Sequence, residues 1–120
     1  MRYRKFQIEA CLGLWITLEI DLLTMTPATA EEVNSSWSDS ESMLRYAMND
    51  PVRAIALRAA AFLMCQLVSD AFDGGQDFSV ALEALGDCPG WPRNHGITIV
   101  DFTGPSVDQH FLQVLEESAR

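Results

Sequence analysis

An α+β domain, with an antiparallel sheet of three to four strands packed by helices, is predicted by three features of this 120-residue chain. Residues 14–21 alternate in period two, with Leu14, Ile16, Leu18 and Ile20 on one face and Trp15, Thr17, Glu19 and Asp21 on the other, the pattern of a half-buried strand. Residues 51 to about 72 form a long apolar stretch opened by a proline, which reads as a central helix. Residues 97–103 return to a strand-like run, Ile97 to Thr103. The expected unit is one domain over residues 1–120, large enough to bury about two thirds of its unfolded surface.

Taken in order, residues 3–9 make a weaker strand with Phe6 and Ile8 inward, joined through Gly13 to the strand at 14–21 as a hairpin. Arg2, Arg4 and Lys5 then sit at one end of the sheet, placed to offset acidic neighbours. Thr26-Pro27 is a helix start, a side-chain oxygen for the open N–H groups followed by proline at the first helical position. Glu31 and Glu32 are read as early helical residues, where the dipole favours negative charge. Ala30, Val33 and Trp37 form a short apolar stripe. The polar cluster of Ser35, Ser36, Ser38, Asp39 and Ser40 punctuates the chain before a brief helical turn over 43–48.

Asp50-Pro51 repeats the cap-then-proline signal and opens the long helix. Its centre of alanines with Ile55, Leu57, Phe62, Leu63 and Met64 is apolar nearly all round, which predicts cover on several sides. Asp73-Gly74-Gly75 stops it. A short helix is expected over 78–85. Cys88-Pro89-Gly90-Trp91-Pro92 follows as a rigid loop whose tryptophan needs an apolar seat. In the strand at 97–103, strict alternation sets Thr98, Val100 and Phe102 opposite Ile97, Ile99 and Asp101. After Gly104-Pro105, residues 107–118 fit a helix with a capping box at Ser106 to Gln109 and a stripe of Val107, Phe111, Val114 and Leu115. A fourth strand over the same residues stays open.

Charge is the strongest functional signal. No lysine occurs after Lys5, and residues 6–120 carry 17 acidic residues against five arginines, a balance of −12. A hydrophobic content of 48% is too high for a disordered acidic tail. An acidic folded surface suits a basic partner and repels phosphate, so direct nucleic-acid binding is not expected. Cys11, Cys65 and Cys88 are widely spaced, without the pairing of a disulfide framework or a thiolate zinc site, and suit a reducing cytoplasm. Gln7, Glu9, Glu19 and Asp21 interrupt any signal-peptide pattern. Arg58, with Arg53, Gln66 and Asp70, keeps residues 54–65 short of an uncharged membrane span.

The catalytic candidates are thin. His95 and His110 lie in no metal-ligand spacing and read as surface or loop histidines. Cys88 and His95 are close in sequence but lack a third, orienting group. Cys65 reads as a buried small hydrophobe. Asp70, Asp73 and Asp77 flank a glycine pair without calcium-loop spacing, and a helix stop followed by an Asp cap explains them. Glu31-Glu32 and Glu116-Glu117 point to different sides of their helices. No catalytic residue, metal set or cofactor is read.

Several fragments stand together: Trp15 to Asp21; Ala30 with Val33-Asn34 and Trp37-Ser38; Asp73-Gly74-Gly75; and Cys88-Pro89-Gly90-Trp91-Pro92 leading to Gly96-Ile97-Thr98-Ile99. In this order they resemble an uncharacterised family of small acidic proteins from phages, prophages and mobile elements of proteobacteria. The chain departs from that pattern near its end. The resemblance implies no catalytic residues. It implies a setting of host–parasite conflict, like that of anti-CRISPR proteins.

The expected function is therefore a non-enzymatic inhibitor or adaptor that occludes a basic nucleic-acid-binding surface of a host protein or ribonucleoprotein complex. Glu31, Glu32, Asp39 and Glu41 around an exposed Trp37 are its candidate contacts, with Asp73 and Asp77 second. The rivals are a structural module dimerising through the alanine-rich helix and a small enzyme using Cys88 or His95.

Overall fold

The computed structural model describes residues 2–9, 14–72 and 77–103, with the backbone alone over 69–72. Its elements run β1 (Tyr3–Glu9), β2 (Trp15–Asp21), α1 (Pro27–Asn34), α2 (Ser40–Tyr46), α3 (Pro51–Phe72), α4 (Phe78–Gly86) and β3 (Ile97–Thr103). The strands form one antiparallel sheet in the order β1-β2-β3. With four helices beside it, the described chain is α+β. Asp73 to Gln76 and residues 104–120 lie outside the described residues, and with them the candidate Asp73, His110 and the element expected at 107–118.

Alternation decides which side of the sheet is covered. Cross-strand rows of Arg4–Ile20–Ile97, Phe6–Leu18–Ile99 and Ile8–Ile16–Phe102 line the inner face. Ile16, Leu18 and Ile20 are fully buried there. The third row departs from the strict alternation expected for β3. Thr17 pairs with Asp101 while Leu18 pairs with Ile99, so Val100 is an extra residue and β3 bulges. The bulge returns Phe102 to the same face as Ile97 and Ile99 and leaves Val100 exposed.

The helix starts behave as their residues dictate. The Thr26 hydroxyl accepts from the Thr29 N–H at 3.1 Å with Pro27 just inside α1. One carboxylate oxygen of Asp50 accepts from the Val52 and Arg53 N–H groups at the start of α3. Met48 and Asn49 both take the left-handed conformation, at φ 59° and 61°, and so reverse the chain between α2 and α3. The N-terminal cations do offset acidic neighbours: Arg2 pairs with Asp21 at 3.1 Å and Arg4 with Asp50 at 2.9 Å.

α3 is the spine and is covered around most of its circumference; of its described side chains only Arg53, Ala61 and Cys65 are exposed. Val52, Ile55, Ala56, Ala59, Ala60, Leu63, Met64 and Leu67 are buried and recur at three- and four-residue intervals, so they form one continuous stripe. The opposite line of Arg53, Leu57, Ala61 and Cys65 is exposed or half-exposed. Cys65 therefore departs from the expected buried thiol; it lies on the outward line of a helix whose composition is apolar throughout. By length and composition Pro51–Val68 would also pass for a membrane-crossing helix. Its buried stripe packs into the core of this domain, against β1, β2, α1 and α4.

Candidate functional site

Three side chains around Arg58 build the most distinctive feature of the described surface. Arg58 is the lone charge in the greasy centre of α3, and its side chain is only 9% exposed. A guanidinium so placed must find acceptors. Its Nε donates to the Asn34 side-chain oxygen at 2.7 Å, and its Nη2 donates to Asp39 at 2.8 Å. Its plane lies over Trp37, 4.3 Å from the ring centroid. Asn34 is itself 1% exposed and donates onward to the Ser40 carbonyl at 3.1 Å. The bond from Arg58 holds the Asp39 carboxyl below the usual carboxylate range.

Trp37 is completed from the other side by Trp91, whose ring meets it edge-on at 5.9 Å. The rigid loop delivers Trp91 to its expected apolar seat, where it is buried. Gly90 permits the approach: it sits at φ +88°, and a Cβ there would lie 2.6 Å from the Ser36 hydroxyl oxygen. Between these parts lies a groove of about 560 Å³. It is lined by Trp37 and Met43, by Leu57, Arg58, Ala61 and Phe62 of α3, and by Cys88, Pro89 and Trp91.

The acidic candidates fall unevenly around it. Glu31, Glu32, Asp39 and Glu41 are all exposed. Glu31 and Glu32 occupy the last turn of α1 rather than its start, so the dipole opposes them there. Asp39 is 58% exposed even while bonded to Arg58. Trp37 is half-buried, not exposed as expected, because Arg58 and Trp91 cover two of its sides. Asp77 caps α4, accepting from the Ser79 and Val80 N–H groups, which accounts for its carboxylate locally. Arg58, Met43, Phe62 and Trp91 were not singled out as contacts. A single charge inside an apolar helix was the available signal for Arg58.

Each of the two catalytic candidates is engaged by backbone groups. His95 is 7% exposed, contrary to a surface position. Its Nδ1 accepts from the Ile97 N–H at 3.0 Å, which leaves the proton on Nε2 to donate to the Leu82 carbonyl at 3.0 Å. The ring is thereby a staple between α4 and β3. The Cys88 thiol instead bonds the Ala84 carbonyl at 3.4 Å. A smaller polar depression beside His95, about 340 Å³, has Glu19, Asp21 and Arg93 among its lining residues. There the Arg2 guanidinium holds the Asp21 carboxyl low. Among the described residues, no group of three His, Cys, Asp or Glu is placed to hold a metal ion.

These features define a small antiparallel α+β protein with a tryptophan-walled groove on its helical side. The chain belongs to a protein family of unknown function, DUF2528, whose model matches residues 15–114. β1 lies outside that span and every groove residue inside it. No curated protein and no solved structure matches the chain significantly. The match assigns the family and no activity.

Proposed function

We propose that this chain is a non-enzymatic binding protein that docks onto a positively charged protein surface and blocks it. The target we favour is a basic nucleic-acid-handling protein or ribonucleoprotein complex of a host cell. The setting would then be inhibition by a phage or mobile element, in the manner of an anti-CRISPR protein. The observation that carries this reading is how the charges are arranged. Arg2, Arg4, Arg58 and Arg93 are each paired with an aspartate, while Lys5, Arg45 and Arg53 stand exposed without an ion pair among the described residues. Glu31, Glu32 and Glu41 have no ion-pair partner among the described residues and stand exposed over a short stretch of chain. Such carboxylates stand in for phosphates on a cationic groove and raise the association rate by steering.

The test compares the wild-type chain with a Glu31→Lys/Glu32→Lys/Glu41→Lys variant, both immobilised and exposed to bacterial lysate. The expected result is retention of a basic nucleic-acid-binding protein by the wild type at low salt, loss at high salt, and no retention by the variant. Recovery of the same proteins on both surfaces, or of no nucleic-acid-binding protein on either, would overturn the proposal.

A further inference from the structure

We infer that the open edge of β1 is an interface for a second copy of the chain, the two β1 strands pairing antiparallel about Gln7 into one sheet across a dimer. This inference does not rest on the docking reading above.

β1 closes the sheet on one side, and its hydrogen bonding shows which groups it leaves open. The Leu22 N–H donates to the Arg2 carbonyl at 2.7 Å, which makes Arg2 and Leu22 a hydrogen-bonded pair. By the alternation of antiparallel strands, Arg4, Phe6 and Ile8 then turn their N–H and C=O groups toward β2. Tyr3, Lys5, Gln7 and Glu9 turn theirs outward, where they meet no backbone partner among the described residues. On the far side of β2 the Asp21 N–H donates to the Gly96 carbonyl at 2.9 Å, in phase with this alternation.

An open edge is ordinarily blunted by proline, a bulge, charge or cover. β3, the other edge, bulges at Val100. β1 has no proline and keeps one unbroken register with β2 from Tyr3 to Glu9. Nor does α3 seal it. A depression of about 180 Å³ opens there, lined by Phe6 and Ile8 of β1 and by Arg53 and Leu57 of α3. Phe6 and Ile8 are only half-buried, whereas Leu18 and Ile16, opposite them on β2, are fully buried.

Self-complementarity fixes the occupant and the register. Pairing about Gln7 sets Lys5 opposite Glu9 of the second copy, and Glu9 opposite Lys5 of the second copy. Both residues are exposed and carry no ion pair among the described residues. Within its own sheet Glu9 faces Trp15, while Lys5 faces Glu19 without pairing to it. On the inner face Phe6 meets Ile8 of the second copy, an apolar contact beside the depression. A register about Lys5 opposes two lysines, and one about Phe6 sets Arg4 against Ile8. Opposite-charge and apolar cross-strand pairs both favour the register about Gln7, and the two-fold axis makes each contact twice.

A strand-sized contact implies micromolar dissociation, so the full chain is followed by sedimentation up to about 1 mM. The wild type is expected to dimerise. Glu9→Lys opposes two cations at each end of the pairing and is expected to weaken the dimer about tenfold. Lys5→Glu/Glu9→Lys restores the opposite charges and is expected to recover wild-type association. Gln7→Pro removes an outward N–H and no bond to β2, so it is expected to keep the circular dichroism of the monomer and to lose the dimer.

A wild type that stays monomeric over the whole range would overturn the inference. A dimer that survives Gln7→Pro would also overturn it, by placing the interface on another surface such as the exposed line of α3. Weakening by Glu9→Lys without recovery in the exchanged variant would reject the pairing about Gln7, and the inference with it. The exchange alters only exposed side chains, so it decides the matter even where the proline disturbs the strand.

Discussion

The Arg58 guanidinium lies 4.3 Å from the centroid of the Trp37 ring, and this stacking fixes the corner between α1 and α2 to the side of α3. The same arginine supplies the donor to the buried Asn34 oxygen. Truncation as Arg58→Ala strands that oxygen without a donor and frees one face of the indole. The expected loss is about 2 kcal/mol in denaturant unfolding, since an unsatisfied buried acceptor alone costs roughly 1–3 kcal/mol. Arg58→Lys recovers little, because a lysine cannot span both acceptors with a planar fork. A loss no larger than that of an exposed substitution such as Arg53→Ala would show that the stack contributes nothing.

Gly90 sets the opposite wall of the groove. An alanine there meets the Ser36 hydroxyl oxygen at 2.6 Å and must also hold φ at +88°. Gly90→Ala is expected to destabilise by about 1–2 kcal/mol through the left-handed conformation alone. A double variant with Ser36→Gly separates the two causes. Partial recovery assigns the recovered part to the contact; no recovery assigns the whole cost to backbone strain.

Local chemistry made much of this fold legible. Thr26-Pro27 and Asp50-Pro51 open helices where they stand because cap and proline act within three residues. β1 and β2 declare themselves by period two, since one face is buried and the other wet. The misreadings share a cause: each depended on a partner distant in sequence. Trp37 is half-covered because Arg58 and Trp91 reach it. His95 is enclosed because Leu82 and Ile97 present backbone groups to its two nitrogens. Cys65 is exposed because an apolar helix does not announce which of its faces the sheet will take. The acidic stretch over residues 31–41 was readable; the groove beside it was not, since its walls come from three separate parts of the chain.

The bulge in β3 was equally invisible, and it makes a sharp contrast between two residues. Phe102 faces Ile16 across the inner face, whereas Val100 is the unpaired, exposed residue. Phe102→Ala is expected to cost about 2–3 kcal/mol and Val100→Thr less than about 0.5 kcal/mol. Strict alternation puts both on one face and predicts comparable sensitivity. Equal losses in thermal or urea unfolding would therefore reject the bulge.

Acid should weaken the fold through three aspartates. Hydrogen bonds from Arg2, Arg58 and Arg4 hold Asp21, Asp39 and Asp50, respectively, below the ordinary carboxylate range. A carboxyl whose folded value is depressed stabilises the fold fully above its unfolded value of about 3.9, and that contribution is lost as pH falls through the folded value. The net charge of −9 complicates raw pH profiles, because protonation also relieves self-repulsion. The difference between wild type and Asp50→Asn isolates the effect: it is expected to be largest at neutral pH and to shrink below about pH 4. A difference constant down to pH 3 or so would show that Arg4 does not favour the charged form of Asp50.

Glu31 and Glu32 pose the question of what their position serves. Both lie in the last turn of α1, where the helix dipole disfavours negative charge by about 0.3–1 kcal/mol, and no basic residue shares that turn. The Ser35 and Ser36 hydroxyls donate instead to the Glu32 and Val33 carbonyls, at 2.7 and 2.6 Å, and so hold the helix end. Glu31→Gln and Glu32→Gln are therefore expected to raise unfolding stability slightly, by a few tenths of a kcal/mol each. Binding to a cationic partner is expected to weaken in the same variants, mainly through a slower association rate that loses part of its salt dependence. Opposite movement of stability and binding is the signature of carboxylates kept for recognition. If stability rises and association is unchanged at every salt concentration, the two glutamates lie outside the contact and the docking face must be sought elsewhere on the surface.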